Sequence, residues 1–507
     1  MKIVENMPWP PMNKLYWKMA EHSAWYSSDP EVIANFYTEW ARIDIPDNNM
    51  SYPLQNKEAF WARQIQNQGE IFVHVPVASD IAETSANFLF GEPPLIRVAQ
   101  ANQLDSDISY RTTQEILDSM LDEVRFNSRI VEGAESCAAI GGIYIKLAWD
   151  TELSPYPIPV IEQADKAIPE FKFGILNAVT FWKTVDSDES GSKVYRLLER
   201  YEKGSINYSL YKGTSDKLGI KVDLSSHPDT ESLQETVITV PELLCVYVPN
   251  MLPNRLNRSS SMGRSDLLGL EGLMDSLDEV YSGWIRDVTL AQAKILIPES
   301  YLRKTSDGFR YNIDKMLYVK LDIDPISEGN KITPQQFDIR ADKFEKTALN
   351  LLERIITSAG YSPQSFGLNI EGRAESGTAL SIRERKSFAT KNKKENYWGN
   401  ALQKIVKLMM LVYRFELNGK VDTEVDINVT FNDGITNNLT ELSQSVQMIS
   451  NAMAASTETK VRLLHNDWTE EQIAAEVDKI LDENRVAIPE GIGNLDINQL
   501  DDEGADD

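Results

Sequence analysis

The apolar positions of this chain change period several times between its ends. In the first 61 residues Trp9, Trp17, Trp25, Tyr26, Phe36, Tyr37, Trp40, Phe60 and Trp61 alternate with polar residues. Spacings such as Tyr37 to Trp40 predict amphipathic helices with an aromatic face suited to a core or a subunit interface. Residues 71–77 read as a short strand ending near Pro76, and Ser79 as the cap of a helix over 80–90 that Gly91 stops. Residues 95–99 predict a strand, and 112–139 one helix running up to Gly141-Gly142. From 143 to 248 the period shortens to two. Strands are expected over 143–149, 171–173, 179–185, 194–202, 206–212 and 243–248, with a tight turn at Lys203-Gly204. Helices followed by an antiparallel β region make the N-terminal half α+β.

The second half is dominated by long helical stripes. Residues 250–265 read as a linker containing Pro253, Ser259, Ser260, Ser261, Gly263 and three arginines, Arg255, Arg258 and Arg264. An amphipathic helix is expected over 266–294, roughly 43 Å long. A small strand-rich region over 295–339 follows, clearest at 318–321, and then a helix over 340–359 stopped by Gly360. Residues 360–376 form a loop, and 377–415 a very long helix of roughly 58 Å. A strand is expected over 421–431, then helices, one opened by a Thr469/Gln472 capping box. The acidic end, 491–507, reads as disordered.

Composition narrows the classes. The 507 residues carry a formal charge of −26, with 42% apolar and 25% charged side chains, an ordinary globular balance. No run approaches the roughly 18 apolar residues of a membrane span, and the N-terminus lacks the pattern of a secretory signal. Cys137 and Cys245 are too few for a disulfide scaffold or a cysteine-based zinc site, and read as reduced, buried thiols of a cytosolic protein. His22, His74, His227 and His465 have no metal spacing. The phosphate-binding loop, the nucleophile elbow, the H-E-x-x-H zinc motif and the calcium loop are all missing, which lowers the expectation of an enzyme and implies no cofactor. Asp322 and Asp324 would share one strand face and so offer a weak magnesium site, the basis of an alternative reading as a metal-dependent DNA-processing enzyme. The acidic balance argues against ordinary DNA binding, yet suits a wall past which DNA slides. Against that sign stands a basic girdle: Arg383, Arg385, Lys386, Lys391, Lys393 and Lys394, with the single acid Glu384. It is open to three readings: a solvated helix face, pairing with an acidic neighbouring copy, or phosphate contact.

Five segments, in order, resemble the portal proteins of tailed double-stranded-DNA bacteriophages, the head–tail connectors of the long-tailed type. They are 74–94 (HVPVASDIAETSANFLFGEPP), 133–146 ending in Gly-Gly-Ile-Tyr-Ile-Lys, 263–278 (GRSDLLGLEGLMDSLD), 375–380 (ESGTAL) and 456–480. The resemblance implies an α+β portal fold: a wing from 1–265 continued by 377–435, stem helices over 266–294 and 340–359, a clip over 295–339, a tunnel loop over 360–376 and a helical crown over 436–490. It implies a homo-oligomer, usually a 12-mer ring, at one vertex of the virion, assembled in the host bacterial cytoplasm. Double-stranded DNA would pass through it in packaging and ejection. Implied partners are the terminase packaging motor, the head–tail adaptor, and the major capsid and scaffolding proteins, with no membrane. Ser362, Gln364, Asn369 and Arg373 are the expected DNA-facing tunnel-loop residues. A minor capsid scaffold that never touches DNA is the other alternative.

Overall fold

A computed structural model describes residues 3–11, 14–39, 59–63, 72–99, 107–188, 191–291, 294–298, 304–305, 308–309, 318–321, 333–335, 339–368, 377–431, 439–452, 454–465 and 470–486. It is mixed helix and sheet, and divides into a unit spanning 1–432 and a smaller one spanning 433–507.

The N-terminal part of the first unit is helical: α1 (Lys14–Tyr26), α2 (Pro30–Glu39), α3 (Phe60–Arg63) and α4 (Val77–Phe90). Of the aromatic residues expected in a core or an interface, Trp9, Trp17, Trp25, Phe36, Phe60 and Trp61 are buried in the core, Tyr26 and Tyr37 are half-buried, and Trp40 lies outside the described residues. The stretch read as a strand over 71–77 is not one in its described part. Val77 opens α4, and the N–H groups of Val73 and Val75 donate to Ser282 Oγ and Asp278 Oδ1, both at 2.8 Å, so side chains take the place of a strand partner. Ser79 is correspondingly inside the helix, its hydroxyl turned back to the Pro76 carbonyl.

Strand β1 (Leu95–Val98) precedes α5 (Asp107–Glu123) and α6 (Phe126–Ile140). The single helix expected over 112–139 is therefore two, because Arg125 adopts a left-handed conformation (φ 51°) at the break. Then come β2 (Gly142–Ala148), β3 (Ile158–Gln163), β4 (Ala167–Lys172), β5 (Ile175–Ser187), β6 (Val194–Glu202), β7 (Ser205–Thr214), β8 (Lys217–Val222), β9 (Thr236–Val237) and β10 (Cys245–Pro249). They form two antiparallel sheets. One has the order β10-β2-β3; the other is the meander β4-β5-β6-β7-β8 with β9 against β7. The expected turn at Lys203-Gly204 joins β6 to β7, with Glu202 opposite Ser205 and Gly204 at φ 77°. Strands β3 and β8 have no counterpart in the sequence reading, since Ile158-Pro-Val and Lys-Leu-Gly-Ile alternate too briefly to stand out.

Helix α7 (Glu271–Leu290) has 20 residues, about 30 Å. It starts five residues later than periodicity suggests, because Gly269 sits at φ 86° and breaks the helical path while Leu267 and Leu270 are still buried. Strands β11 (Lys294–Pro298), β12 (Lys304–Thr305), β13 (Gly308–Phe309), β14 (Tyr318–Leu321) and β15 (Thr333–Gln335) follow. Strand β11 lies between a parallel β14 and an antiparallel β15. Helix α8 (Ala341–Ala359) returns along α7. Trp284 stacks on Phe344 at 6.3 Å, and Arg340 at the start of α8 grips Asp287 near the end of α7 at 2.9 and 3.0 Å, so the two helices run antiparallel.

Helix α9 (Gly377–Phe415) has the 39 residues expected. Strand β16 (Ile427–Thr430) pairs antiparallel with β1. It is shorter than the strand expected over 421–431, because Arg414 and Lys407 of α9 donate to the Val421 and Val425 carbonyls and hold that stretch off the sheet. The main core gathers α4, α6, β2, β10 and the C-terminal half of α9, with Trp398 buried edge-on against Phe90 at 4.9 Å. A second cluster joins Trp25, Trp61, Ile81, Leu277, Ile355 and Tyr361. The smaller unit holds α10 (Leu439–Asn451), α11 (Thr457–Leu464) and α12 (Glu470–Val486), with Ser456 capping α11 through the Thr459 N–H. Thr469 of the expected capping box and the tail 491–507 lie outside the described residues.

Both cysteines are buried and unpaired, and burial pushes the Cys137 thiol up to about 12. Among the described residues no helix is long and apolar enough to cross a membrane, and no group of three or more His, Cys, Asp or Glu could hold a metal.

At the start of α7, burial works against ionisation of Glu271, but the His22 hydrogen bond at 2.9 Å and the charges of His22 and Lys18 outweigh it and hold the carboxyl at about 2. A carboxyl lowered on folding from the usual ~4.3 adds stability that is complete above that value and disappears as pH falls toward 2. Urea midpoints of the wild type and Glu271→Gln should therefore differ most above pH 5 and converge on acidification. A gap that stays constant between pH 5.5 and 3 would show that Glu271 gains nothing from this site.

Candidate functional site

The loop that follows α8 is anchored before it leaves the body. Gly360 ends α8 in a left-handed conformation (φ 110°), and a Cβ there would stand 3.0 Å from Thr390 Oγ1. Thr390 uses that closeness to donate to the Gly360 carbonyl at 2.7 Å. The Ser362 N–H donates to Ser387 Oγ at 2.9 Å, the Ser365 and Ser387 hydroxyls meet at 2.9 Å, and Lys386 Nζ donates to the Thr357 carbonyl. Residues 363–366 make one 3₁₀ turn, and the exposed Gly367 is left-handed (φ 72°).

Beneath this root lies a buried ion pair. Lys394 Nζ is 2.5 Å from Asp266 Oδ2, and both side chains are 2% exposed. Lys394 also donates to Ser85 Oγ at 2.6 Å and to Tyr361 Oη at 3.0 Å, and Tyr361 donates to Asp266 Oδ2 at 2.8 Å. The other Asp266 oxygen accepts from Asn250 Nδ2 at 2.8 Å. Burial first, and the Asp266 charge second, push the Tyr361 phenol well above its usual range, so it stays a donor. Four distant parts of the chain therefore share one clasp: α4, the 250–270 segment, the loop root and α9.

The 250–265 segment is a packed strap rather than a free linker. Asn250, Met251, Asn254, Met262, Gly263 and Ser265 are buried. Asn254 Nδ2 donates to the Gly263 carbonyl at 2.8 Å, Gly263 N–H to Tyr247 Oη at 2.7 Å, and Ser265 Oγ to the Ala139 carbonyl at 2.6 Å. Gly141, at φ 108°, allows the approach: a Cβ on it would come within 2.7 Å of the Ser265 nitrogen.

The clasp divides the basic girdle. Lys391 and Lys394 are buried, Lys391 beside Glu395 at 3.4 Å, so neither is available on the surface. They fall on the inward stripe with Ser387, Thr390 and Trp398, at helical spacings of three and four. Arg385, Lys386 and Lys393 are exposed, and the Arg383 side chain lies outside the described residues. Of the expected DNA-facing residues, Ser362 is buried in the root, where its backbone anchors to α9; Gln364 is half-buried. Asn369 and Arg373, like Asp322 and Asp324, lie outside the described residues. Asp266 and Tyr361 escaped the sequence reading as site residues. The available signal was a lysine at 394 in register with an apolar stripe, which demands a buried acid.

The family model described as "Phage portal protein, SPP1 Gp6-like" matches residues 36–490. The chain belongs to this portal protein family. A comparison with curated protein sequences returns no match. Among solved structures, a chain of the "Virion of native gene transfer agent (GTA) particle" aligns with 85% of this chain and 98% of its own length, at 11% identity and a TM-score of 0.39. Portal family membership makes this a bacteriophage structural protein and virion component, and agrees with the mixed helix and sheet expected of a portal.

Removing one partner of a buried pair strands the other charge, at a cost of about 3–5 kcal/mol. Lys394→Met is expected to lower stability by that order in urea denaturation, and Asp266→Asn to act in the same direction. Arg385→Ala and Lys393→Ala, on the exposed side of α9, should stay within about 0.5 kcal/mol of wild type.

Proposed function

We propose that this portal protein closes into a ring of twelve copies at one capsid vertex and conducts double-stranded DNA inward during packaging and outward during ejection. The observation that carries the reading is the family match across residues 36–490, which takes in α7, the small sheets after it, α8 and α9 together. In this reading α7 and α8 are the stem, and strands β11 to β15 form the clip that meets the terminase motor and later the head–tail adaptor. Helices α10 to α12 belong to the crown, and the wing faces the major capsid and scaffolding proteins. Closing a ring requires head-to-tail contacts between different surfaces of identical copies. Twelve chains at −26 total about −312, which opposes DNA adhesion, and at physiological salt the repulsion reaches only about 8 Å from the wall.

The loop beyond its root is the segment assigned to the channel, with Gln364, Asn369 and Arg373 nearest the DNA. The anchoring of its root supports this, since Tyr361 is held by Asp266 and by Lys394 of α9, and Leu368 still packs on the second core cluster, so the root is fixed up to that residue.

Native mass measurement and electron microscopy of the purified full-length chain test the ring. The expected species is about 690 kDa for twelve chains of 57.4 kDa, with an open centre; a compact monomer at every concentration would refute the proposal. Replacing residues 369–376 with a Gly-Ser linker spares Tyr361, the clasp and Leu368, which packs on the core. Rings should then still form, with packaging or DNA retention impaired. Unimpaired packaging would remove the loop from the DNA path.

A further inference from the structure

The turn between β4 and β5 carries a residue that suits neither its backbone nor its exposure. Lys172 pairs with Ile175, so Phe173 and Gly174 form a two-residue hairpin loop, and both have positive φ, 52° and 82°. Such a loop favours Asn-Gly, because a bulky side chain at positive φ is strained. The phenylalanine in the first place is also fully exposed, Ile175 is 69% exposed, and a Cβ on Gly174 would meet nothing within 4 Å among the described residues. The tip therefore stands clear of its own chain. Lys172 beside it is exposed and makes no ion pair among the described residues, since Glu170 is held by Arg200 at 3.0 Å.

A surface of matching character lies elsewhere. Leu153, in the loop joining β2 to β3, is 75% exposed. Three residues on, Tyr156 packs on Tyr413 of α9 with ring centroids 5.2 Å apart, both half-buried. Burial first, then Tyr413 and Glu123, raise the Tyr156 phenol, which puts the Glu123 carboxylate at this aromatic pair. Glu123, at the end of α5, is exposed and likewise makes no ion pair among the described residues. Tip and patch flank opposite ends of β2. Phe171 packs on Tyr247 at 5.6 Å, and the Tyr247 hydroxyl lies over Gly142, the first residue of β2 (a Cβ on Gly142 would come within 2.5 Å of it). The 149–157 loop leaves from Ala148, the last residue of β2, which pairs with Ile158. The seven residues of β2 span roughly 20 Å.

We propose that the Phe173 hairpin tip of one copy docks on the Leu153, Tyr156 and Tyr413 surface of a second copy of this chain, with Lys172 brought against Glu123. The proposal rests on the assembly reading above and names one of its contacts. A strained backbone and an exposed aromatic side chain each cost free energy in the isolated chain, and burial against a partner offsets both. The Tyr156–Tyr413 pair offers ring edges and faces to a third aromatic ring. Lys172 and Glu123 are of opposite charge, and their pairing fixes the orientation in which the apolar groups meet. A two-residue turn cannot fold back along β2 to the patch of its own chain, so the match is between copies. Contact between two different surfaces at opposite ends of one strand is head-to-tail, the kind that closes a ring.

The test uses the full-length chain, whose two native thiols are buried. Phe173→Cys and Leu153→Cys chains are mixed and joined with a short bis-maleimide. Dimers linked from 173 to 153 are expected, and neither variant alone should link. Phe173→Asn suits the turn better, so its urea midpoint should equal or exceed that of the wild type while the concentration for half-assembly rises about tenfold. Lys172→Glu and Glu123→Lys should each weaken assembly, and the two together should restore most of it. Rings in which 173 and 153 do not link, or that assemble equally well with Phe173→Asn, overturn this proposal and leave the ring standing. Phe173→Asn rings that form normally but are missing from assembled capsids overturn it in favour of a capsid partner. A monomeric wild type overturns both readings.

Discussion

The buried pair between Lys394 and Asp266 is the constraint on which the portal body depends. Two charges taken out of water cost several kcal/mol each, and their attraction offsets this only when the remaining lone pairs and protons are satisfied. Here they are: Lys394 reaches Ser85 and Tyr361 as well as Asp266, and Asp266 accepts also from Tyr361 and Asn250. Such a network adds less to net stability than to uniqueness, because any slip of α9 by one residue would leave a lysine among Trp398, Tyr361 and Phe88 with nothing to pair. The long helix is thereby fixed in rotation and in height against the strap, and the loop root is fixed with it.

Helix α7 carries a second set of polar anchors. Asp275 accepts from the Phe60 and Trp61 N–H groups, Asp278 from Trp61 Nε1 and Val75 N–H, and Ser282 from Val73 N–H. His74 Nδ1 stands 2.8 Å from the same Asp278 carboxylate. These residues follow one another at three and four, so a polar stripe runs beside the apolar one and binds backbone that no strand covers. A helix held on one side by the N-terminal segments and on the other by α8 moves with both. In the proposed portal reading, a force applied at the clip would pass to the wing through these hydrogen bonds.

What was legible in the sequence followed from periodicity over long windows. The 39 residues of α9, the α8 stop at Gly360 and the hairpin at Lys203-Gly204 were all readable, because each repeats or ends a pattern by a local rule. Family membership was readable from five short segments in order, two of which meet at the clasp through Ser85 and Asp266, while a third, through Ala139, accepts from Ser265 beside it. What could not be read depends on contacts between distant residues. Residues 71–77 look like a strand until Asp278 and Ser282 supply their partners. The strap looks like a linker until Asn250 and Asn254 close its backbone. The girdle looks uniform until the helix stripe turns Lys391 and Lys394 inward. Charge counted along a sequence carries no information on which side of a helix it falls.

That last point changes how the acidic charge of this portal protein should be weighed. At −26 per chain, neighbouring copies in the proposed ring repel, but screening confines the repulsion to roughly a Debye length, so contact pairs rather than net charge decide whether two copies dock. A basic cluster is then useful only where it is exposed and lacks an internal acid. The clasp consumes Lys394, and leaves Arg385, Lys386 and Lys393 of the girdle exposed on α9. The same buried pair that sets the register of α9 thus also sets where an acidic chain presents positive charge, and any change that unseats it alters the fold and the surface together.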